Sequence, residues 1–121
     1  MKAAINLNQY TNGVPPEYDN KIHASVKQAN STFALLRVAI KRKDNILASF
    51  HKRQAINHMN EVNRLMNKLG KPEIFTELPE INDNTDLDTI DLSQYDRQVQ
   101  DLLSEEGREE AEPEGLEPEK D

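Results

Sequence analysis

Residues 22–69 read IHASVKQANSTFALLRVAIKRKDNILASFHKRQAINHMNEVNRLMNKL, and this stretch decides the fold. Apolar residues recur along it at spacings of four and three: Ile22, Val26, Ala29, Phe33, Leu36 and Ile40, then Leu47, Ala55, Val62, Leu65 and Leu69. At about 100° per residue these positions share one broad stripe, the mark of an amphipathic helix. The end is sharply signalled. Lys68 falls in the last turn, Gly70 is placed as a left-handed cap, and Pro72 forbids continuation. Pro15, Pro16, Glu17 and Asp19 supply softer signals for the start.

The expected fold class is all-α. One long basic helix over 20–71 would measure roughly 70 Å along Ile22–Leu69 at 1.5 Å per residue. The alternative is a helical hairpin broken near 41–45, where Lys41, Arg42, Lys43, Asp44 and Asn45 crowd together and Asp44 or Asn45 could cap a second helix. A second weak point is Asn30, Ser31 and Thr32, all poor helix formers. The stripe keeps its phase across both points, which favours a continuous helix. That phase fits eleven-residue spacing as well as seven, with Arg42, Arg53 and Arg64 in step, so a strict left-handed coiled coil is not required.

A stripe of this length has to be covered. A continuous helix implies an interface with a second copy or another protein through Ile22, Val26, Phe33, Leu36, Ile40, Leu47, Ala55, Val62, Leu65 and Leu69. Within the stripe, Asp44, His51 and His58 recur at seven-residue steps. Such a seam is either a histidine switch or metal position between copies, or a set of polar positions that fix helix register. The register reading is preferred: there is no Cys, and His58 with Glu61 lacks the rest of any metal pattern. No cofactor or metal is expected. The opposite face carries Arg42, Lys52, Arg53, Arg64 and Lys68, interleaved with Leu35, Val38, Ile46, Phe50 and Ile56. A basic face with this much aliphatic surface calls for an amphipathic, acidic docking partner.

The flanks follow from composition. The 121 residues suffice for one small domain. Charge is split: residues 1–71 hold twelve Lys or Arg against four Asp or Glu, while residues 72–121 hold three against eighteen. Residues 1–19 read as an N-terminal arm, extended or loose, with a turn at Thr11, Asn12 and Gly13. Residues 72–92 alternate acidic and apolar positions and are expected to be an extended linker or docking segment. Its anchors would be Ile74, Phe75, Leu78 and Ile81, continuing through Leu87 and Ile90. Ser93 opens a short helix over 93–106, with Asp96 completing a variant capping box and Gly107 ending it. Tyr95, Val99, Leu102 and Leu103 form its apolar face, which packs back on the long helix or into a partner's groove. Residues 107–121 read as a disordered acidic tail.

No stretch approaches the eighteen apolar residues of a membrane span, and the first residues lack the apolar run of a signal peptide. A cytoplasmic protein, or one carried within a viral particle, is the expectation, with no membrane partner. The Asn30-Ser31-Thr32 sequon then carries no meaning. Enzymatic chemistry finds no support: the four glycines form no phosphate loop, there is no Cys nucleophile, and no Ser sits in a nucleophile elbow. The carboxylates crowd into the C-terminal part, where nothing would desolvate one for acid catalysis. The leading expectation is a non-enzymatic adaptor, scaffold or assembly factor, cellular or virus-encoded. It would self-associate or dock through its helix, with the tail as a peptide-like binding segment. The alternative is a nucleic-acid-binding regulator whose basic face tracks phosphates and whose acidic tail is autoinhibitory. Against it, Phe50 is the only aromatic placed for base stacking, and no recognised motif is present.

Overall fold

Pro15 and Pro16 fix the backbone for entry into a helix, and Glu17 and Asp19 place carboxylates at its positive end. A computed structural model describes residues 7–111, with side chains to Leu103. All regular elements in this range are helical. They are α1 (Leu7–Tyr10), α2 (Pro16–Lys41), α3 (Asn45–Lys68), a 3₁₀ turn at Leu87–Thr89, and α4 (Ser93–Ala111).

The long helix is broken. α2 and α3 form an antiparallel hairpin joined by Arg42, Lys43 and Asp44, so the expected continuous helix gives way to the hairpin alternative. The break is a Schellman turn: the Asp44 N–H donates to the Ala39 carbonyl and the Lys43 N–H to the Ile40 carbonyl, both at 3.0 Å. Lys43 occupies the left-handed position, with φ of 61°. Asp44 then caps α3, its carboxylate accepting from the Leu47 N–H at 3.1 Å. α3 ends in the same way, with the Lys71 N–H on the Met66 carbonyl at 2.9 Å and Gly70 at φ of 73°. A lysine held left-handed costs about 1 kcal/mol that a glycine avoids. Lys43→Gly is therefore expected to raise the urea unfolding midpoint. An unchanged or lower midpoint would show that the left-handed position costs this lysine nothing.

The stripe closes on itself across the hairpin. Ile22, Val26, Ala29, Phe33 and Leu36 of α2 are buried, as are Ala55, Ile56, Met59, Val62, Leu65 and Met66 of α3. The break also shifts phase at the tip: Ile40 and Leu47, read as part of the stripe, are exposed there. Leu69, at the far end, is half-buried against the core.

The segment after Pro72 is an ordered strap laid along α3. Its anchor is the buried Asn63 side chain. Asn63 donates to the Phe75 carbonyl at 2.7 Å and accepts from the Ile74 and Phe75 N–H groups at 3.1 Å each. From there the strap runs toward the hairpin tip. Arg53 donates to the Asn82 carbonyl, and Lys52 to those of Leu87 and Ile90. Ile74, Phe75, Leu87 and Leu92 are buried, and Leu78, Ile81 and Ile90 pack at the core's edge.

α4 begins near the tip, where Asp96 meets Arg37 of α2, and runs back toward the open end of the hairpin. Gln98 there reaches the Ile74 carbonyl at 3.0 Å, and Tyr95 Oη lies 2.8 Å from the carbonyl oxygens of both Thr76 and Glu77. Tyr95, Val99 and Leu102 are buried, with Leu103 beside them. These side chains dock on their own hairpin and complete a three-helix bundle. Two expected boundaries move. The helix passes through Gly107 to Ala111, because one interior glycine costs only about 1 kcal/mol among strong helix formers. The N-terminal arm is also ordered from Leu7: one helical turn buries Leu7 completely, and the Thr11 N–H donates to its carbonyl at 3.1 Å. Residues 1–6, and the expected tail from residue 112, lie outside the described residues.

Candidate interaction surface at the hairpin tip

With its front covered by the strap and α4, the hairpin exposes large apolar side chains in one place. Leu35, Val38 and Ile40 at the end of α2, and Ile46, Leu47 and Phe50 at the start of α3, are the exposed large hydrophobics among the described residues. Ile46, at the apex, is 86% exposed. All six fall within residues 35–50, which also hold Arg37, Lys41, Arg42 and Lys43 against the single acid Asp44. The other large hydrophobics among the described residues lie in or against the core.

Helical spacing sorts the patch into two sides. Ser49, Lys52 and Arg53 point α3 toward the strap. Leu47 and Phe50 sit on its other flank, in line with His58, which shares a shallow groove with Lys27, Gln28, Ser31 and Thr32 of α2. Leu35 and Val38 continue the Gln28–Ser31 row toward the tip. The hairpin's back is thus polar near its middle and apolar near its tip. Ile40 instead borders a front groove of about 580 Å³ between α2 and α4, floored by Phe33 and Leu36 and edged by Arg37, Lys52 and Arg97.

The expected basic face is largely used within the chain. Arg37 Nη1 reaches both carboxylate oxygens of Asp96 at 2.6 and 2.7 Å. Lys52 and Arg53 are held by strap carbonyls, and Arg64 forms a bidentate pair with Glu61 at 2.9 and 2.6 Å. The Arg64 hydrogen bond holds the Glu61 carboxyl below its ordinary range, and Glu61 in turn raises the Arg64 guanidinium. Arg42 is exposed at the tip between Lys41 and Lys43, while Lys68 lies exposed in the last turn of α3. Ile56, read as part of the opposite face, is buried.

The polar seam separates into three roles. Asp44 caps α3. His51 is buried at 9% exposure, its ring edge-on to Phe50 with centroids 5.3 Å apart. Partial burial lowers the pKa of His58. Beside the front groove, Asp91 accepts from the Ser93 hydroxyl at 2.6 Å and from its N–H at 2.9 Å, and those bonds hold its carboxyl low. Among the described residues no group of three or more His, Asp or Glu is placed to hold a metal ion. No helix among them is long and apolar enough to cross a membrane. No family model, no curated protein and no solved structure matches the chain.

Sequence set Lys41 and Lys43 among the cations that could track phosphates, with Arg37, Arg42, Lys52, Arg53, Arg64 and Lys68, and did not place them on an apolar docking surface. Only the turn brings them beside Ile46 and Phe50. The signal was present in the crowded cations at 41–43 followed at once by two aliphatics.

Proposed function

We propose that this protein is a non-enzymatic helical interaction module, an adaptor or assembly factor that docks through its hairpin tip. The observation that carries the reading is the coincidence, within sixteen consecutive residues, of the six exposed large hydrophobics among the described residues with Lys41, Arg42 and Lys43. Such a patch recognises an acidic, amphipathic protein segment: aliphatics to cover Leu35, Val38, Ile46 and Phe50, and carboxylates to meet Lys41, Arg42 and Lys43. The chain offers a precedent in α4, whose apolar face packs on the hairpin while Asp96 clamps Arg37. The carboxylates at the front groove are committed to such contacts, Asp91 to Ser93 and Asp96 to Arg37. A nucleic-acid reading has less to draw on, because Arg37, Lys52, Arg53 and Arg64 are engaged within the chain and aliphatics crown the remaining cations.

Photo-crosslinking tests the reading. Benzoylphenylalanine replaces Phe50 at the tip or, as the control, Ala24 on the exposed side of α2, in cells that make the protein. A dominant protein adduct from position 50, lost when Lys41, Arg42 and Lys43 become Glu, is expected. Equal adducts from both positions, or none from either, would remove the tip from consideration.

A further inference from the structure

The chain itself holds a segment with the chemistry that the tip calls for. Residues 104–121 contain nine Asp or Glu against two Lys or Arg, together with Leu116. The tip, residues 35–50, has four cations against one acid. Ile90, just before α4, is held by Lys52 near the start of α3, whereas Gln98 meets Ile74, which Asn63 holds eleven residues farther from the tip, so α4 points away from the tip.

That direction decides whether the acidic segment can reach its own tip. Ala111 lies fifteen residues beyond Asp96, roughly 22 Å farther along the helix axis. Leu116 is five residues past Ala111, and five extended residues span at most about 18 Å. Leu116 therefore falls short even of the level of Arg37, and Ile46 lies beyond that. A second molecule has no such restriction. Two copies side by side and antiparallel set each basic tip beside the other's acidic end, and the exchange closes as a two-fold pair.

We propose that the hairpin tip receives the acidic C-terminal segment, residues 104–121, of a second copy of the chain, so that the protein self-associates by reciprocal exchange of its ends. Lys41, Arg42 and Lys43 face the carboxylates, and Leu116 contacts the Ile46, Leu47 and Phe50 surface. The proposal rests on the reading of the tip as a docking surface. It gives that surface a specific occupant in place of a foreign acidic helix.

Light scattering coupled to size exclusion tests it on four chains: the intact protein, residues 1–111, the Ile46→Glu/Phe50→Glu variant, and a variant with the carboxylates of 112–121 made amides. Residues 1–111 retain every described element, and both altered tip positions are exposed, so circular dichroism is expected to be unchanged. At low salt the intact chain is expected at the mass of two 13.8 kDa chains. The other three are expected at the mass of one. Screening at 0.5 M salt is expected to weaken the intact pair by roughly tenfold or more. A single-chain mass for the intact protein at low salt overturns the proposal, and so does a pair that survives truncation to 1–111. In the latter case, loss of the pair on tip substitution would leave the docking reading standing with a different occupant. A pair indifferent to both changes would count against the tip as well.

Discussion

Replacing Asn63 with Ala is expected to lower stability by roughly 3–4 kcal/mol, a large effect for the loss of one buried polar side chain. The reason is the number of backbone groups that depend on one amide. Asn63 is 6% exposed and serves the Ile74 N–H, the Phe75 N–H and the Phe75 carbonyl. Ile74 and Phe75 are themselves buried, so water does not replace these bonds without opening the strap. Each buried group left without a partner costs about 1–3 kcal/mol. The strap has few other ties at this end: Gln98 reaches the Ile74 carbonyl, and Tyr95 Oη the carbonyls of Thr76 and Glu77. Losing the Asn63 clamp would therefore loosen α4 with it. Urea unfolding followed by circular dichroism measures the effect. A loss below about 1 kcal/mol would mean that the strap is held by apolar burial alone.

Phe33→Ala is the second large effect, expected at about 3–5 kcal/mol. Phe33 is fully buried on α2, and it floors the front groove between α2 and α4. Truncation leaves a cavity in the core beneath that groove, and the loss grows with the volume that the helices do not refill. Domains of this size have about 5–15 kcal/mol in all, so the variant would sit near the edge of folding. Phe50→Ala is the internal comparison. Phe50 is half exposed, and its truncation is expected to cost well under 1 kcal/mol. Similar losses at the two positions would contradict this division into core and surface.

The stripe was legible from sequence and its use was not. Val26, Phe33, Leu36, Val62 and Leu65 are where periodicity places them, on one face of each helix. Periodicity alone cannot say whether that face meets another chain or its own continuation, because both burials ask for the same spacing. The distinction hangs on the turn. At Gly70 the Schellman cap carries the residue that prefers it, and the end of α3 could be read directly. At Lys43 the same backbone geometry is adopted by a lysine, so the usual marker is absent. Asp44 was the remaining clue, and its cap on Leu47 makes the break workable.

The tip was half legible. Leu35, Val38, Ile46 and Phe50 stood out as apolar positions off the stripe. Ile40 and Leu47 joined them only because the break changes the phase between the helices. The basic face could be grouped from sequence, but the contacts its members make could not. A helical wheel shows which cations share a side, but not that a strap some thirty residues later will supply carbonyls to Lys52 and Arg53. Asn63 was invisible for the same cause: its three partners lie eleven and twelve residues downstream, past a proline and outside any helical pattern.

The order in which the chain wraps its own hairpin also implies an order of assembly. α2 and α3 are neighbours in sequence and meet through a three-residue turn, so their pairing closes a short loop. The Arg37–Asp96 clamp spans fifty-nine residues and has meaning only after the strap has been laid between them. During synthesis the hairpin emerges whole before α4 exists, leaving the apolar front of α2 briefly bare to the surroundings. The acidic strap is the next part of the chain to appear, and as it settles on α3 it carries α4 to the strip of α2 still left open.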